Sequence, residues 1–241
     1  AMSIDTSVTY QSHLGFGIAM DETACYFLSA LGEAERASVM NALFNPDIGS
    51  GINMLRLCIG SSDLTTRDFY SYDDMPEGQT DPQLEHFSIQ KDIEHKIIER
   101  VKDALAINPN IKVFASPWSP PGWMKSSGNM VGGKLKTEYY GIFAEYLVKF
   151  IEAYRDQGID IYAVTPQNEP NYVPSNYPGC GYTPQEQIAL VKQIREQFDA
   201  HDLATKIWIL DHNYKFWDNF AKVVLDDETA KAAIDGTAFH P

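Results

Sequence analysis

Residues 140–170, YGIFAEYLVKFIEAYRDQGIDIYAVTPQNEP, predict a helix, a strand and a loop in succession. Apolar side chains recur at helical spacing in the first half and predict one buried stripe: Tyr140, Phe143, Ala144, Leu147, Phe150, Ile151 and Tyr154. Gly158 is expected to end this helix, and the strand that follows, Tyr162 to Pro166, is apolar almost throughout. Strands covered by helices on both faces have this composition. The segment therefore predicts an α/β protein.

The same alternation of strands and helices extends over the whole chain. Six strands are predicted: Leu14–Met20, Asn53–Ile59, Lys112–Ser116, Tyr162–Pro166, Lys206–Asp211 and Thr237–His240. Thr183 and Glu186 form a capping box with Pro184 at the first helical position, which predicts a helix start. A further helix is predicted from an apolar stripe at Ile93, Ile97, Ile98, Val101 and Leu105. Right-handed crossovers allow a barrel or a doubly wound sheet, and periodicity alone does not separate them.

Composition and charge restrict the partners of the protein. The chain has 241 residues, of which 44% are hydrophobic and 22% charged, as in globular proteins. Its formal net charge is −14 and no basic stripe is present, so a neutral partner is expected and nucleic acid is not. No apolar run approaches the roughly 20 residues that a membrane span needs, so none is predicted.

Cysteine and histidine spacing gives no indication of a metal site. Cys25, Cys58 and Cys180 are far apart and show no CxxC pattern, so neither a zinc knuckle nor a disulfide framework is predicted, and at most one disulfide can form. His212 and His240 lack the HxH or HExxH spacing of metal ligands. We therefore expect no metal and interpret both histidines as hydrogen-bonding residues.

The end of the fourth predicted strand carries a candidate catalytic residue. Both α/β architectures place their active sites at the carboxyl ends of the strands. Here the strand runs into Asn168 and Glu169 between Pro166 and Pro170, and these prolines exclude a helix and hold the backbone extended. Glu169 is then placed for proton transfer. The alternative is a turn in which Asn168 and Glu169 only bond to the backbone.

Two more strand ends carry candidate binding residues. The loop SPWSPPGWMK (116–125) holds Trp118 and Trp123 between prolines, and aromatic faces on stiff loops suit sugars. Packing is the alternative for both and weighs more for Trp123 than for Trp118. Arg56 lies inside the second predicted strand. Buried arginines usually hold a carboxylate, with a lone structural ion pair as the alternative.

Together these segments resemble glycoside hydrolase family 30, which includes glucosylceramidases and β-1,6-glucanases. The resemblance begins at Gly15-Phe16-Gly17, continues through Leu55-Arg56, residues 59–63 (IGSSD), 70–73 (YSYD) and 87–89 (FSI), and is most specific in SPWSPPGWMK and TPQNEP. Gly15-Phe16-Gly17 alone is similar to a dinucleotide-binding loop. The third glycine of GxGxxG is absent, however, so a dehydrogenase is disfavoured.

The resemblance implies a (β/α)8 TIM barrel that acts on a carbohydrate substrate without a cofactor, by double displacement between two glutamates. Glu169 would be the general acid/base and Asn168 would bond the 2-hydroxyl group of the sugar. The pocket would be lined by Trp118, Arg56 and His240.

One departure from the family pattern and one match to a branch of the family concern specificity. The acidic residue of the first strand's loop falls on Asp21-Glu22, with Asp21 in place of a threonine, so Glu22 is expected to contact the sugar. The Trp-Met-Lys ending of the proline-rich loop resembles the glucosidase and glucanase branch of the family more than the xylanase branch, and this resemblance favours glucose-type substrates over xylan.

The carboxyl end of the sequence, Ala238 to Pro241, is interpreted as the sixth barrel strand. Residues 1–241 are then expected to form one incomplete barrel domain of about six β/α units. By the resemblance, they would lack the seventh strand, which carries the nucleophilic glutamate, and the accessory β-sandwich. A noncatalytic fragment or sugar-binding remnant is the alternative to an enzyme.

An unclosed barrel also predicts a partner. Unpaired first and sixth strands, beside an interior expected to contain Leu55, Leu57, Val113 and Val164, predict self-association or a complementary segment. The residues at the amino terminus of this sequence do not predict a signal peptide. The compartment stays open on these grounds, with secretion favoured.

Overall fold

The structure, a computed structural model, describes residues 5–240. Within them six strands form one sheet in chain order: β1 (Gly17–Ala19), β2 (Met54–Ile59), β3 (Lys112–Pro117), β4 (Ile161–Val164), β5 (Lys206–Asn213) and β6 (Gly236–His240). Every neighbouring pair is parallel. A doubly wound sheet reverses its strand order at a switch point, whereas a barrel does not. The strand order therefore confirms barrel-type winding.

The sheet curls into a half-barrel. Phe114 of β3 and Trp208 of β5 lie on strands separated by β4, yet their ring centroids are only 5.3 Å apart. Both side chains and Arg56 of β2 line one cavity on the concave face. Among the described residues, β1 and β6 are the two edges of this sheet.

Helices connect the strands in residues 5–240: α1 (Glu22–Ala30), α2 (Glu33–Phe44), α3 (Gln90–Glu94), α4 (Ile97–Ile107), α5 (Tyr140–Asp156), α6 (Pro184–Ala200), α7 (Lys222–Leu225) and α8 (Glu228–Ala233). Gly158 follows α5 at φ 78°, a conformation that favours glycine, which confirms the predicted helix end. The capping box of Thr183 and Glu186 also forms at the start of α6.

Two sequence-based expectations about packing are wrong. Leu55, Leu57 and Val113 do not face the barrel interior: they alternate with the concave-face residues Arg56 and Phe114 and belong to the core shared with the helices. The physical reason is the two-residue period of a strand, which sends adjacent side chains to opposite faces. The concave face is consequently more polar than expected.

The stripe from Ile93 to Leu105 is not one helix. Lys96 adopts a left-handed backbone conformation, φ 66°, between α3 and α4, so the two helices are separate. Ile93 consequently lies outside the buried stripe and is 38% exposed. Left-handed backbone is unfavourable for a side chain with a Cβ atom and interrupts a right-handed helix.

The cysteines do not crosslink the fold. Cys25, Cys58 and Cys180 are all free thiols. Burial raises the pKa of the Cys58 thiol to about 12, so this group is unreactive at neutral pH. Over residues 5–240, no helix combines the length and apolar character needed to cross a bilayer.

Candidate active site

The loop after β4 holds Glu169 between two neighbouring strands. The backbone N–H of Asn168 donates to the carbonyl oxygen of Pro117 at the end of β3 (2.8 Å), and the N–H of Glu169 donates to the Asp211 carbonyl oxygen in β5 (3.0 Å). Glu169 has φ 49°, a left-handed conformation that glutamate rarely adopts. Such conformations persist only where surrounding structure holds them, and they cluster at functional sites. The loop therefore presents Glu169 at a defined position.

Asp211 lies at the centre of a hydrogen-bond network that joins four segments of the sheet. Its side chain is 2% exposed. One oxygen, Oδ2, accepts from Arg56 Nη2 (2.9 Å), Ser116 Oγ (2.7 Å) and Thr165 Oγ1 (2.9 Å). The other, Oδ1, lies 2.9 Å from His240 Nε2. Both oxygens are occupied, and Arg56 is the first of the causes that hold the pKa of Asp211 far below its usual value against the effect of burial.

A bulge in β5 aims Asp211 at this network. The register of β5 against β6 shifts between Leu210 and His212. Leu210 and Asp211 both have left-handed backbone, with φ 68° and 57°. A bulge breaks the alternation of side chains and redirects one of them. Here it brings the Asp211 carboxylate to the concave face, where Arg56 and His240 contact it.

His240 connects this network to Glu169. Its Nδ1 lies 3.2 Å from Glu169 Oε1, and its Nε2 contacts Asp211. Hydrogen bonds to both carboxylates raise the pKa of His240 to about 9. The same contact with His240, together with the charge of nearby His212, lowers the pKa of Glu169 despite partial burial. Glu169 is therefore ionised at neutral pH in this arrangement.

Arg56, Asn168 and Trp118 lie together beside this carboxylate network. Arg56 Nη2 also donates to Asn168 Oδ1 (2.8 Å), and its guanidinium carbon lies 4.7 Å from the centre of the Trp118 ring. Trp118 Nε1 donates in turn to Asp63 Oδ1 (3.0 Å). Of the predicted site residues, the structure thus brings Arg56, Trp118, Asn168, Glu169 and His240 into one network.

Glu22 lies in different surroundings. Its carboxylate is 4% exposed and accepts hydrogen bonds from the Thr66 backbone N–H (2.6 Å) and from the hydroxyl groups of Thr65 and Thr66. None of these partners belongs to the network around Asp211. Its neighbour Asp21 caps α1 through the Ala24 N–H, and burial, with a further contribution from the charge of Asp63, raises the pKa of Asp21. The sugar contact of Glu22 stays a prediction.

Trp123 is a packing residue. It is 8% exposed, its Nε1 donates to the Asp73 backbone oxygen and to the Asp73 carboxylate (3.0 and 3.1 Å), and its ring meets Tyr139 edge to face. Of the two interpretations of this tryptophan, the structure favours packing.

A cavity of about 520 Å³ adjoins the network. Its lining combines aromatic rings with charged groups: Arg56, Phe114, Trp208, Asp211, Thr237, Ala238, Phe239 and His240. Cavities of this size with a few convergent polar groups are typical of small-molecule sites. At such a cavity the Glu169 carboxylate, together with the His240 imidazole, can transfer a proton to or from a bound molecule. The aromatic rings of Phe114 and Trp208 can pack against a sugar.

Sequence reasoning missed the central part of the site. It placed Asp211 at the end of the fifth predicted strand without assigning it a role, and it did not single out Ser116 or Thr165. The available signal was position, because Asp211 follows the apolar run IWIL within β5, as Glu169 follows β4. It also missed the meeting of His212, His240 and Glu169, whose potential ligand atoms all lie within 4.8 Å of one another.

Comparison with known proteins agrees with this geometry. Residues 13–241 match the family model described as glycosyl hydrolase family 30 TIM-barrel domain. An endo-1,6-β-D-glucanase from Neurospora crassa is 35% identical over 84% of this chain and 43% of its own length. The lysosomal acid glucosylceramidase of Mus musculus is 31% identical over 99% of this chain and 47% of its own length. The chain thus spans about half the length of the curated relatives it matches.

Solved structures show the same relationship. An endo-β1,6-glucanase structure superposes with a TM-score of 0.91 at 34% identity, over 99% of this chain and 54% of that one. SrfJ from Salmonella typhimurium superposes with a TM-score of 0.87 at 31% identity, over 94% of this chain and 50% of that one. Since the family model matches nearly the whole chain and the strands wind as in a barrel, the chain belongs to glycosyl hydrolase family 30 and contains part of its TIM-barrel domain.

Proposed function

We propose that the protein containing this chain is a retaining β-glycoside hydrolase that acts on glucose-type β-linked glycans or glucosides, with Glu169 as general acid/base. The observation that carries the proposal is the position of Glu169. Its side chain is 29% exposed at the end of β4, next to Asn168 and 3.2 Å from His240, which lines the cavity. Within one barrel, this position combines solvent access with a surrounding set of sugar-binding side chains.

The pKa of Glu169 fits one half of a double displacement directly. In the second step, an ionised carboxylate takes a proton from the water that attacks the glycosyl-enzyme intermediate. The first step needs the protonated carboxyl group. A second carboxylate about 5–5.5 Å away, as retaining enzymes require, would raise the pKa of Glu169 by like-charge repulsion and supply that form.

Within residues 5–240, one further carboxylate, that of Asp211, contacts His240 beside Glu169. Asp211 is a poor nucleophile, because both oxygens accept hydrogen bonds and Arg56 stabilises the charge. This observation favours a second candidate function for residues 1–241 alone, which is sugar binding without catalysis. In the active protein the nucleophilic carboxylate would then come from outside these residues, either in the same polypeptide or in one that pairs with the β1 or β6 edge.

Substrate choice rests on the relatives. The names of the matched proteins include a β-1,6-glucanase and a glucosylceramidase, both of which act on glucose-type residues. We therefore propose a β-1,6-glucan or a β-glucoside as the substrate. Export from the cytosol is part of the same proposal and is supported only by the lysosomal relative and by the sequence-based preference for secretion.

Glu169→Gln tests the proposal in the protein that contains this chain. Substrates with poor leaving groups, such as β-1,6-glucan, should lose turnover by at least about 100-fold, because they need protonation. For aryl β-glucosides with activated leaving groups, the rate of the glycosylation step should fall much less. Glu196→Gln, an exposed glutamate on α6, is the matched control. Equal small losses on both substrate types would refute the acid/base assignment.

A further inference from the structure

The network around Glu169 contains a set of atoms that suits a metal ion. Glu169 Oε1 lies 3.2 Å from His240 Nδ1 and 3.6 Å from His212 Nδ1. These three groups come from the β4 loop, β5 and β6, and their potential ligand atoms lie within 4.8 Å of one another. In a tetrahedral site with zinc–ligand bonds of about 2.0–2.2 Å, ligand atoms are separated by roughly 3.3–3.5 Å. The two measured separations are close to that range.

His212 supplies an independent indication of a ligand. Its side chain is only 8% exposed. Among residues 5–240, His212 Nδ1 has no hydrogen-bond partner, although this atom is itself buried. The Phe216 ring packs 4.6 Å from the imidazole and restricts its position. A buried nitrogen without a partner costs free energy, and a metal ion would satisfy it.

His240 is oriented as ligating histidines usually are. Its Nε2 lies 2.9 Å from Asp211 Oδ1, so a proton on Nε2 is directed to the carboxylate. A metal ion would displace the proton from the other nitrogen, and the lone pair would then be on Nδ1, which faces Glu169. A carboxylate behind a histidine fixes the tautomer and the ring orientation in many zinc sites. Asp211 is itself held by Arg56, Ser116 and Thr165, so this support is rigid.

We propose that Glu169 Oε1, His212 Nδ1 and His240 Nδ1 form a Zn²⁺ site with one open coordination position. Two imidazole nitrogens and one carboxylate oxygen suit zinc, whereas magnesium and calcium prefer oxygen ligands alone. A zinc ion there occupies the carboxylate oxygen of Glu169 that would otherwise transfer the proton. Zinc is therefore an inhibitor of the hydrolase. The inhibition rests on the proposed function, but the binding of zinc does not.

Direct metal binding tests the site without measuring activity. Calorimetric titration of the wild-type protein with Zn²⁺ is expected to show one site whose affinity for zinc is much higher than that of any other. His212→Gln should weaken zinc binding at least about tenfold. Loss of a residue that only orients a metal ligand already weakens binding 10–100-fold, and loss of the ligand itself should weaken it at least as much. His201→Gln, on α6's carboxyl end, should change the affinity less than about twofold. The wild-type protein failing to bind zinc, or unchanged binding by His212→Gln, would overturn the proposal.

A second histidine variant separates this site from another cluster. Asp73, Asp81 and His86 also bring potential ligand atoms together, with one histidine and two carboxylates. His86→Gln should leave the dominant zinc affinity unchanged. Loss of that affinity in His86→Gln, with retention in His212→Gln, would assign the zinc to the other cluster and contradict the proposal.

X-ray absorption spectroscopy on the wild-type protein keeps the test valid if His212→Gln does not fold. With less than one equivalent of Zn²⁺, the spectrum should show scattering from two imidazole ligands and no sulfur. A single imidazole or a sulfur ligand would refute the assignment. Zinc binding with these ligands but without inhibition of glycoside hydrolysis would leave the metal site intact and contradict the proposed role of Glu169.

Discussion

Replacing Asp211 by asparagine should destabilise the protein strongly, because it removes the charge at the centre of the network. The side chain of Asp211 is 2% exposed and that of Arg56 is 19% exposed. Oδ2 accepts from three donors, so an amide nitrogen in its place would face hydrogen atoms from Arg56, Ser116 and Thr165. The opposite amide orientation would instead remove the acceptor of His240.

The expected loss follows from the burial of this ion pair. Removing one partner of a buried pair costs about 3–5 kcal/mol, and because Arg56 keeps some solvent contact we expect a value near 3 kcal/mol. Urea unfolding at pH 7 measures the loss. NMR titration of His240 gives a second readout, since its pKa of about 9 depends first on the hydrogen bond with Asp211 and should fall. Asp226→Asn, in an exposed pair with Lys222, is the control and should leave the unfolding midpoint unchanged. A loss below about 1 kcal/mol, with the pKa of His240 unaltered, would refute this account of the network.

Two further predictions concern buried groups outside the site. Lys125→Met should lower the free energy of unfolding by about 1–3 kcal/mol, because the Lys125 ammonium group donates to Ser119 Oγ and to the Met130 and Gly179 carbonyl oxygens. The same substitution should speed hydrogen exchange at the Gly179 N–H, and exchange as slow as in wild type would contradict this. Burial raises the pKa of Asp92 to about 6, so the native state binds its proton more tightly than the unfolded state. Wild type should therefore gain roughly 2 kcal/mol relative to Asp92→Asn as the pH falls from 7 to 4, and a difference independent of pH would refute it.

The strands were predictable because their signal is local. The apolar run before Pro166 predicts a strand and the capping box at Thr183 predicts a helix start. Each prediction depends only on its own segment, and the structure confirms both. Strand order is not local: burial makes a strand apolar in a barrel and in a doubly wound sheet alike. Only the resemblance to a family, carried by SPWSPPGWMK and TPQNEP, separated the two architectures before the structure was known.

The candidate site was predictable one strand end at a time. Glu169 and Arg56 could be singled out from their own segments, but their common partner could not. Asp211 reaches the network because of a bulge and a left-handed backbone conformation at residues 210 and 211. No pattern of side chains in the sequence predicts this bulge. The break between α3 and α4 at Lys96 was missed for the same reason. An apolar stripe predicts which side chains are buried, but it does not predict the backbone angle φ of a residue within it.

Azide rescue of Glu169→Ala tests the central claim most directly, in the protein that contains this chain. Without the carboxylate, water lacks a general base and turnover of an activated aryl β-glucoside should fall sharply. Azide needs no general base, so it should restore turnover and give a glycosyl azide that retains the β configuration. No rescue, or an azide product of inverted configuration, would contradict the assignment of Glu169 as the acid/base of a retaining enzyme.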